Sequence, residues 1–153
     1  GRFETFQSDE SITVVIDYAH SPDALENVLE TINKIRTKNE TLITIVGCGG
    51  NRDREKRPMI GKKAAALSDK VIFTSDNPRD EDPALIISEI MEGVAPEDFK
   101  KVLKVTQREE AIAVAGNLAN QGDVVLTYQE IEGKKIPFND LEIAQKIFLN
   151  TKA

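Results

Sequence analysis

The sequence predicts an α/β domain with a Rossmann-like, mostly parallel sheet of about five to six strands and helices on both faces. Short apolar or β-branched segments alternate along the chain with longer segments whose apolar residues recur every three or four positions. Such β-α-β alternation is typical of parallel sheets with right-handed crossover connections. The apolar segment at residues 41–46 shows no polar alternation, as expected for a strand covered on both faces.

Length, composition and charge exclude several classes of protein. A length of 153 residues suits one domain, and no apolar run approaches the roughly 20 residues that a membrane span needs. The first residues resemble neither a signal peptide nor a transit peptide. Cys48 has no second cysteine to pair with, which favours a cytoplasmic protein. A net charge of −6 argues against nucleic-acid binding, and one histidine with one cysteine argues against a zinc site.

The first half of the chain supplies three predicted strands and the helices between them. A polar leading segment, residues 1–10, precedes the first strand. Ser21 is the predicted N-cap of the first helix, with Pro22 at its first helical position. The predicted strands are residues 11–17, 41–46 and 70–74, and the first helix is predicted to bury Leu25, Val28, Leu29, Ile32 and Ile35.

The later elements are predicted from capping signals and short apolar runs. A helix over residues 58–67 is followed by one that begins at Asp82 and Pro83 and buries Leu85, Ile86 and Ile90. Thr106 and Glu109 form a predicted capping box, and Asn139 and Glu142 form a second cap pair. The remaining segments are strands at 102–105 and 124–126, a polar stretch at 127–135, a short extended piece at 136–138 and a last helix.

Polar residues concentrate where predicted strands end, and in open α/β sheets this edge is where ligands bind. The central example is Asp76-Asn77-Pro78-Arg79, between a strand and a helix. Arg79 offers a planar fork of donors that fits a carboxylate or phosphate. Pro78 fixes its own φ and biases Asn77 toward extended geometry, so that a stiff turn presents Arg79. The alternative is an ordinary Asn-Pro turn with a solvated arginine.

The glycine-rich segment at residues 47–57 does not match a nucleotide-binding fingerprint. Arg52 stands where a dinucleotide fingerprint has its third glycine, and the chain has no Gly-Lys-Ser/Thr triplet. What remains is a glycine run able to approach a ligand closely, followed by basic residues, or else a solvated loop of alternating charge. Because Arg52 and Arg79 follow adjacent strands, they suggest a ligand with more than one anionic group.

The chain offers no recognisable nucleophile with its base. His20 follows a strand end near Asp17, where it is either a capping or packing residue or a polar contact to a ligand. Neither a Ser-His-Asp set nor a Cys-His set can be assembled from the spacing. We therefore assign no catalytic residue and no metal ligand to this chain.

Four ordered motifs resemble the C-terminal domain of the Mur ligases over nearly the whole chain. They are Gly1-Arg2-Phe3-Glu4, DYAHSPDAL at residues 17–25, GCGGNRD at 47–53 with KRP at 56–58, and SDNPR at 75–79. Four motifs in order are far more specific than any one of them.

The resemblance implies an ATP-dependent ligase that joins an amino acid to a UDP-MurNAc-peptide through an acyl phosphate. The family has a UDP-sugar domain, a central ATPase domain and a C-terminal domain that closes over the nucleotide and holds the incoming amino acid. We expect residues 1–153 to be the last of these, with the other two absent from this chain. ATP and Mg²⁺ would be bound mainly by the central domain, and the isolated chain would be inactive.

The DNPR form of the motif resembles family members that add meso-diaminopimelate to UDP-MurNAc-L-Ala-D-Glu. Diaminopimelate differs from lysine by one extra carboxylate, and arginines left unpaired would penalise lysine. By the resemblance, nucleotide contacts fall to Arg2, Asp17 and His20, and the amino-acid site consists of Arg52, Asp76, Asn77, Pro78 and Arg79.

The chain departs from the family pattern at one place. Members of the family usually carry Ala-Gly-Lys-Gly-His-Glu after the strand that here ends at Leu126, whereas Leu126 continues directly into Thr127 and Tyr128. Either the loop is shortened or a segment is missing from the sequence, and a true deletion would weaken diaminopimelate binding. The alternative functions are a lysine-adding or folylpolyglutamate-type ligase domain and a non-catalytic α/β binding module.

Overall fold

The computed structural model describes residues 2–18, 21–37, 39–130 and 139–149, and within them it contains one six-stranded sheet. The strand order is β1-β2-β6-β3-β4-β5, with β1 antiparallel to β2 and every other pair parallel. The predicted fold class is confirmed. The strands are β1 (Arg2–Gln7), β2 (Thr13–Tyr18), β3 (Leu42–Val46), β4 (Lys70–Phe73), β5 (Val102–Lys104) and β6 (Val124–Gln129).

Helices cover both faces of the sheet and divide the core in two. The helices are α1 (Pro22–Ile35), α2 (Lys56–Leu67), α3 (Pro83–Met91), α4 (Arg108–Leu118) and α5 (Asp140–Leu149), with a 3₁₀ helix at Pro96–Lys101. One core joins α1, α2 and α3 to the sheet, and the other joins α4 and α5. In β3, for example, Leu42 and Val46 face the first core and Ile43 and Ile45 face the second. No helix within the described residues is long and apolar enough to cross a bilayer.

Three of the four predicted caps are present. The Ser21 hydroxyl accepts from the Ala24 amide at 3.1 Å. The Asp82 carboxylate accepts from the Ala84 amide at 3.0 Å. The Asn139 Oδ1 accepts from the Glu142 amide at 3.0 Å, and Asn139 Nδ2 donates to the Glu142 carboxylate at 3.1 Å.

The predicted capping box at Thr106 is wrong. Helix α4 begins two residues later, with Gln107 as an N-cap that makes no side-chain hydrogen bond. The Thr106 carbonyl instead accepts from the Ser75 amide at 3.0 Å and from the Thr74 hydroxyl at 3.2 Å. The chain therefore stays extended beside the end of β4 before it turns into the helix.

Two segments predicted to be irregular are strands. The leading segment contains β1, which pairs along its whole length with β2 and packs Phe6 against the second core. Strand β6 continues to Gln129 instead of ending at Leu126, because β2 and β3 on its two sides supply backbone partners as far as Tyr128. The predicted extended piece at 136–138 lies outside the described residues.

Two residues predicted to be buried are exposed. Ile35 is 78% exposed in the last turn of α1, where no neighbouring element covers it. Leu85 is 48% exposed because α3 packs on the first core through Ile86, Ile87 and Ile90.

One fully buried ion pair joins four parts of the chain near the carboxyl edge of the sheet. The Arg108 guanidinium donates to both Asp140 oxygens, from Nε at 2.7 Å and from Nη2 at 2.6 Å. It also donates to the Tyr128 carbonyl at 2.9 Å and to the Ser75 carbonyl at 3.2 Å. Arg108 thus ties the start of α4 to the start of α5, the end of β6 and the loop after β4.

Removing one member of this pair should destabilise the fold strongly, because the remaining charge would be buried without a partner. We expect Arg108→Ala or Asp140→Ala to lower the free energy of unfolding by about 3–5 kcal/mol, measured by urea denaturation. Lys63→Ala, which removes a partly exposed partner of Glu26, is the control and should cost no more than about 1 kcal/mol. Equal losses in the two experiments would contradict this account.

Candidate functional site

The site lies at the carboxyl edge of the sheet, where the loops after β3 and β4 meet backbone to backbone. The Gly50 amide donates to the Asn77 carbonyl at 2.9 Å. A Cβ atom on Gly50 would lie 1.7 Å from the Pro78 carbonyl oxygen, and one on Gly47 would lie 2.2 Å from the Thr74 carbonyl oxygen. The glycine run is therefore required because any side chain would force the two loops apart.

The turn that carries Arg79 is strained. Asn77 has φ +52° and Arg79 has φ +50°, in the left-handed region that most side chains avoid. The expected extended geometry of Asn77 is wrong, because its carbonyl must accept from both the Gly50 amide and Arg79 Nη1. Asn77 and Pro78 are partly buried in this turn. Residues held in such conformations often mark functional sites.

Arg52 and Arg79 converge on one carboxylate, that of Glu130. Arg79 donates from Nη2 to Glu130 Oε1 at 3.0 Å, and Arg52 Nε lies 3.5 Å from the same oxygen. The Arg79 side chain is also held by the glycine loop, because its Nη1 donates to the Gly50 carbonyl at 2.8 Å. The Arg52 side chain is half exposed, whereas those of Arg79 and Glu130 are 15% and 9% exposed. The structure thus brings together the two arginines that the sequence singled out, in an arrangement that binds a carboxylate.

Arg57 holds the two loops in place from inside. Its guanidinium donates to both Glu81 oxygens, at 3.0 and 2.8 Å, to Glu89 at 3.0 Å and to the Gly49 carbonyl at 3.0 Å. These hydrogen bonds from Arg57 lower the pKa of Glu81 to about 2. Glu89 also pairs with Arg54. The basic run after the glycines is therefore not simply a solvated loop, because Arg57 is buried within it.

Asp76 lies beneath this site rather than in the crevice. It is buried, and its Oδ2 accepts the Glu130 amide at 2.7 Å, while Oδ1 has no hydrogen-bond partner among the described residues. Burial raises the pKa of Asp76 to about 7. In this state Asp76 contacts the chain and positions Glu130, and a direct contact with a ligand stays a prediction.

Two of the three predicted nucleotide-binding residues, Arg2 and Asp17, belong to strands on the other side of β6 from the arginine site. Asp17 is near the end of β2, which is two strands, or about 10 Å, from β3. Asp17 is largely buried, and burial raises its pKa above the ordinary value. The backbone of Arg2 belongs to β1, opposite Tyr18, and His20 lies outside the described residues.

Two kinds of chemistry find no support in the described part of the chain. Burial raises the pKa of the Cys48 thiol to about 12, so it is not a thiolate nucleophile near neutral pH. Among the residues that the structure describes, no group of three or more His, Cys, Asp and Glu side chains could hold a metal ion. What the described part of the site does offer is a pair of guanidinium groups that binds a carboxylate.

Sequence reasoning missed Glu130, Arg57 and the pair of Arg108 with Asp140. Their partners are 24 to 51 residues away along the chain, so no local spacing marks them. The one available signal was the density of charged residues after the glycine run, which did not distinguish the buried arginine from the exposed ones.

Comparison with known proteins gives a consistent result. Residues 1–128 match the family model described as "Mur ligase, glutamate ligase domain". A UDP-N-acetylmuramoyl-L-alanyl-D-glutamate–2,6-diaminopimelate ligase from Cytophaga hutchinsonii is 52% identical over 154 residues, which cover 96% of this chain and 32% of that protein. A solved structure with the same name has a TM-score of 0.82 at 35% identity, covering 97% of this chain and 31% of the other.

A more distant structure agrees in fold alone. A Mycobacterium tuberculosis folylpolyglutamate synthase complexed with ADP has a TM-score of 0.60 at 20% identity, covering 77% of this chain and 27% of the other. This chain spans about a third of the length of the relatives it matches. The alignment with the Cytophaga protein is 154 residues long although 96% of 153 residues take part, so that relative has a few residues that this chain lacks.

The buried carboxyl of Asp76 should make stability fall as the pH rises. Its pKa is about 7 in the folded chain against an ordinary 3.8, so the folded state retains the proton longer than the unfolded state. We expect Asp76→Asn to gain stability relative to the parent between about pH 4 and pH 7, by at most about 1.4 kcal/mol per pH unit, and no further above that range.

Urea denaturation at about pH 5, 6, 7 and 8 would measure this difference. Asp9→Asn, at an exposed position in the turn between β1 and β2, controls for the loss of one charge. A constant difference between Asp76→Asn and the parent across the range would refute the assignment.

Proposed function

Because the chain belongs to the Mur ligase, glutamate ligase domain family, we propose that it is the C-terminal domain of an ATP-dependent ligase that adds meso-diaminopimelate to UDP-MurNAc-L-Ala-D-Glu in peptidoglycan synthesis. This is the UDP-N-acetylmuramoyl-tripeptide synthetase branch of the family. The names of the Cytophaga relative and of the solved structure support the proposal, since both are diaminopimelate ligases. The single thiol fits a cytoplasmic enzyme.

The observation that carries the proposal is the convergence of Arg52 and Arg79 on one carboxylate oxygen. Diaminopimelate has an amino acid group at each end, and lysine lacks the distal carboxylate. Lysine has no carboxylate for these two guanidinium groups to bind and would gain nothing from them, so the arrangement favours diaminopimelate. Asp76, Asn77 and Pro78 would shape the turn that presents Arg79.

We assign the transfer chemistry to the part of the enzyme that this chain does not include. In the proposed reaction, ATP phosphorylates the D-Glu carboxylate, and the amine of diaminopimelate then attacks the acyl phosphate and expels phosphate. This domain would hold the distal end of diaminopimelate so that the reacting amine points at the acyl group. The absence of a Gly-Lys-Ser/Thr triplet from the chain supports this division of labour.

Nucleotide contacts from this domain are a further part of the proposal. Asp17, Arg2 and His20 would approach the ribose or phosphates from the β2 side of the crevice, while the amino acid binds on the β3 and β4 side. The position of β6 between β2 and β3 supports this separation of the two substrates. Mg²⁺ would be held mainly by the central domain together with the ATP phosphates.

Removing the Arg79 guanidinium should weaken diaminopimelate binding selectively. We expect Arg79→Ala in the full-length enzyme to lose more than about 1.5 kcal/mol of binding energy toward meso-diaminopimelate, about the value of one charge-assisted hydrogen bond, with little change for lysine. Arg79→Lys should lose nearly as much because it keeps the charge but not the planar fork.

Isothermal titration calorimetry would measure both ligands against each variant. Arg54→Ala is the matched control, because Arg54 lies in the same loop system but pairs with Glu89 outside the Arg52–Arg79 site. Unchanged diaminopimelate affinity in Arg79→Ala would count against the assigned role.

The isolated chain should hydrolyse no ATP. The physical reason is that no glycine-rich phosphate cradle with its lysine exists in the sequence. A coupled phosphate-release assay on the purified chain, with the full-length enzyme as the positive control, tests this. Turnover by the chain alone, above that of a mock purification, would show that the division of labour is wrong.

A further inference from the structure

The proposed carboxylate site is already filled by a carboxylate of the chain itself. We propose that Glu130 is an internal ligand of the Arg52–Arg79 pair, and that a carboxylate ligand binds by displacing it. This inference deepens the proposed function, because it describes how that site selects its ligand. Glu130 lies outside the four motifs, in the segment that resembles the one following the family's glycine-rich loop.

Both terminal nitrogens of Arg79 already donate hydrogen bonds within the chain. Its Nη1 donates to two backbone carbonyls, those of Gly50 and Asn77, at 2.8 and 3.4 Å. The facing Nη2 donates to Glu130 at 3.0 Å, and both side chains are largely buried. A ligand carboxylate that forms a short pair with Arg79 must therefore take the position of the Glu130 carboxylate.

The surrounding structure positions Glu130 from two sides. Its amide is held by the buried Asp76 carboxylate at 2.7 Å, directly after the last residue of β6. Its Oε2 lies against Gly49, where an added Cβ would come within 2.0 Å of that oxygen. The half-exposed Arg52 lies on the solvent side of Glu130, with its Nε 3.5 Å from Glu130 Oε1. Glu130 is thus built into the site rather than resting on its surface.

An internal ligand sets the minimum affinity that an external carboxylate needs in order to bind. A tethered carboxylate competes at an effective concentration of the order of millimolar or higher, whatever is present in solution. A free monocarboxylate gains nothing over Glu130 and should not bind. A ligand with further contacts, such as a second charged end held elsewhere in the crevice, can exceed this threshold. Glu130 would therefore act as a specificity-determining residue against small anions.

Glutarate, a plain dicarboxylate, is the probe that tests displacement without assuming the natural substrate. We expect Glu130→Gln to bind glutarate at least tenfold more tightly than the parent chain, measured by NMR titration. Glu130→Asp keeps the charge but ends one methylene short of Arg79, and we expect it to bind several-fold more tightly than the parent. Glu30→Gln, an exposed charge removal on α1, is the matched control and should not change affinity.

Two outcomes would overturn the inference. One is a Glu130→Gln variant whose glutarate affinity is within twofold of the parent. The other is Glu130→Asp behaving like the parent while Glu130→Gln binds more tightly, which would indicate a general charge effect instead of displacement. Urea denaturation of each variant verifies that it is folded. If Glu130→Gln does not fold, the titration of the more conservative Glu130→Asp variant still tests displacement.

Repeating the titrations with meso-diaminopimelate separates this inference from the proposed function. Tighter glutarate binding by both Glu130 variants, together with diaminopimelate binding no better than glutarate, would leave the internal ligand supported and the proposed substrate wrong. Preferential binding of diaminopimelate by the parent, with no gain in either variant, would support the substrate and overturn displacement.

Discussion

The arrangement of the site depends on one guanidinium group with no exposed surface. Arg108 holds Asp140 in a two-point ion pair and donates to the carbonyls of Ser75 and Tyr128. These two carbonyls flank the loop that leads to Asp76 and the strand end that leads to Glu130. A pair of this kind adds little net stability, since desolvation offsets its attraction, but its geometry is demanding. Its effect is to fix the positions of the segments that follow β4 and end β6 at the carboxyl edge of the sheet.

A second buried guanidinium, that of Arg57, fixes the loops after β3 and β4. Arg57 ties the glycine loop to Glu81 and Glu89, and the glycines then allow backbone contact with the turn that carries Arg79. The strained φ of Arg79 is held by these contacts, because a free turn would relax toward an ordinary conformation. On the proposed function, Arg79 is thereby held in place before a ligand arrives, which would lower the entropy lost on binding.

The C-terminal end of β6 supplies the site with its internal carboxylate. Thr127, Gln129 and Glu130 are polar, yet they are buried because β6 continues between β2 and β3. The continuation of β6 to Gln129 places the next residue, Glu130, directly beside Arg52 and Arg79.

The sequence by itself determined the alternation of strands and helices, most of the caps, and the two arginines of the crevice. Those features follow from local rules: periodicity, turn chemistry and the shared edge of parallel strands. Only the tertiary structure decided that Arg57 is buried while Arg54 is exposed, and that Glu130 fills the site. Such outcomes depend on partners far apart in the chain, and burial, which raises the pKa of Asp76, exists only once those partners have packed together.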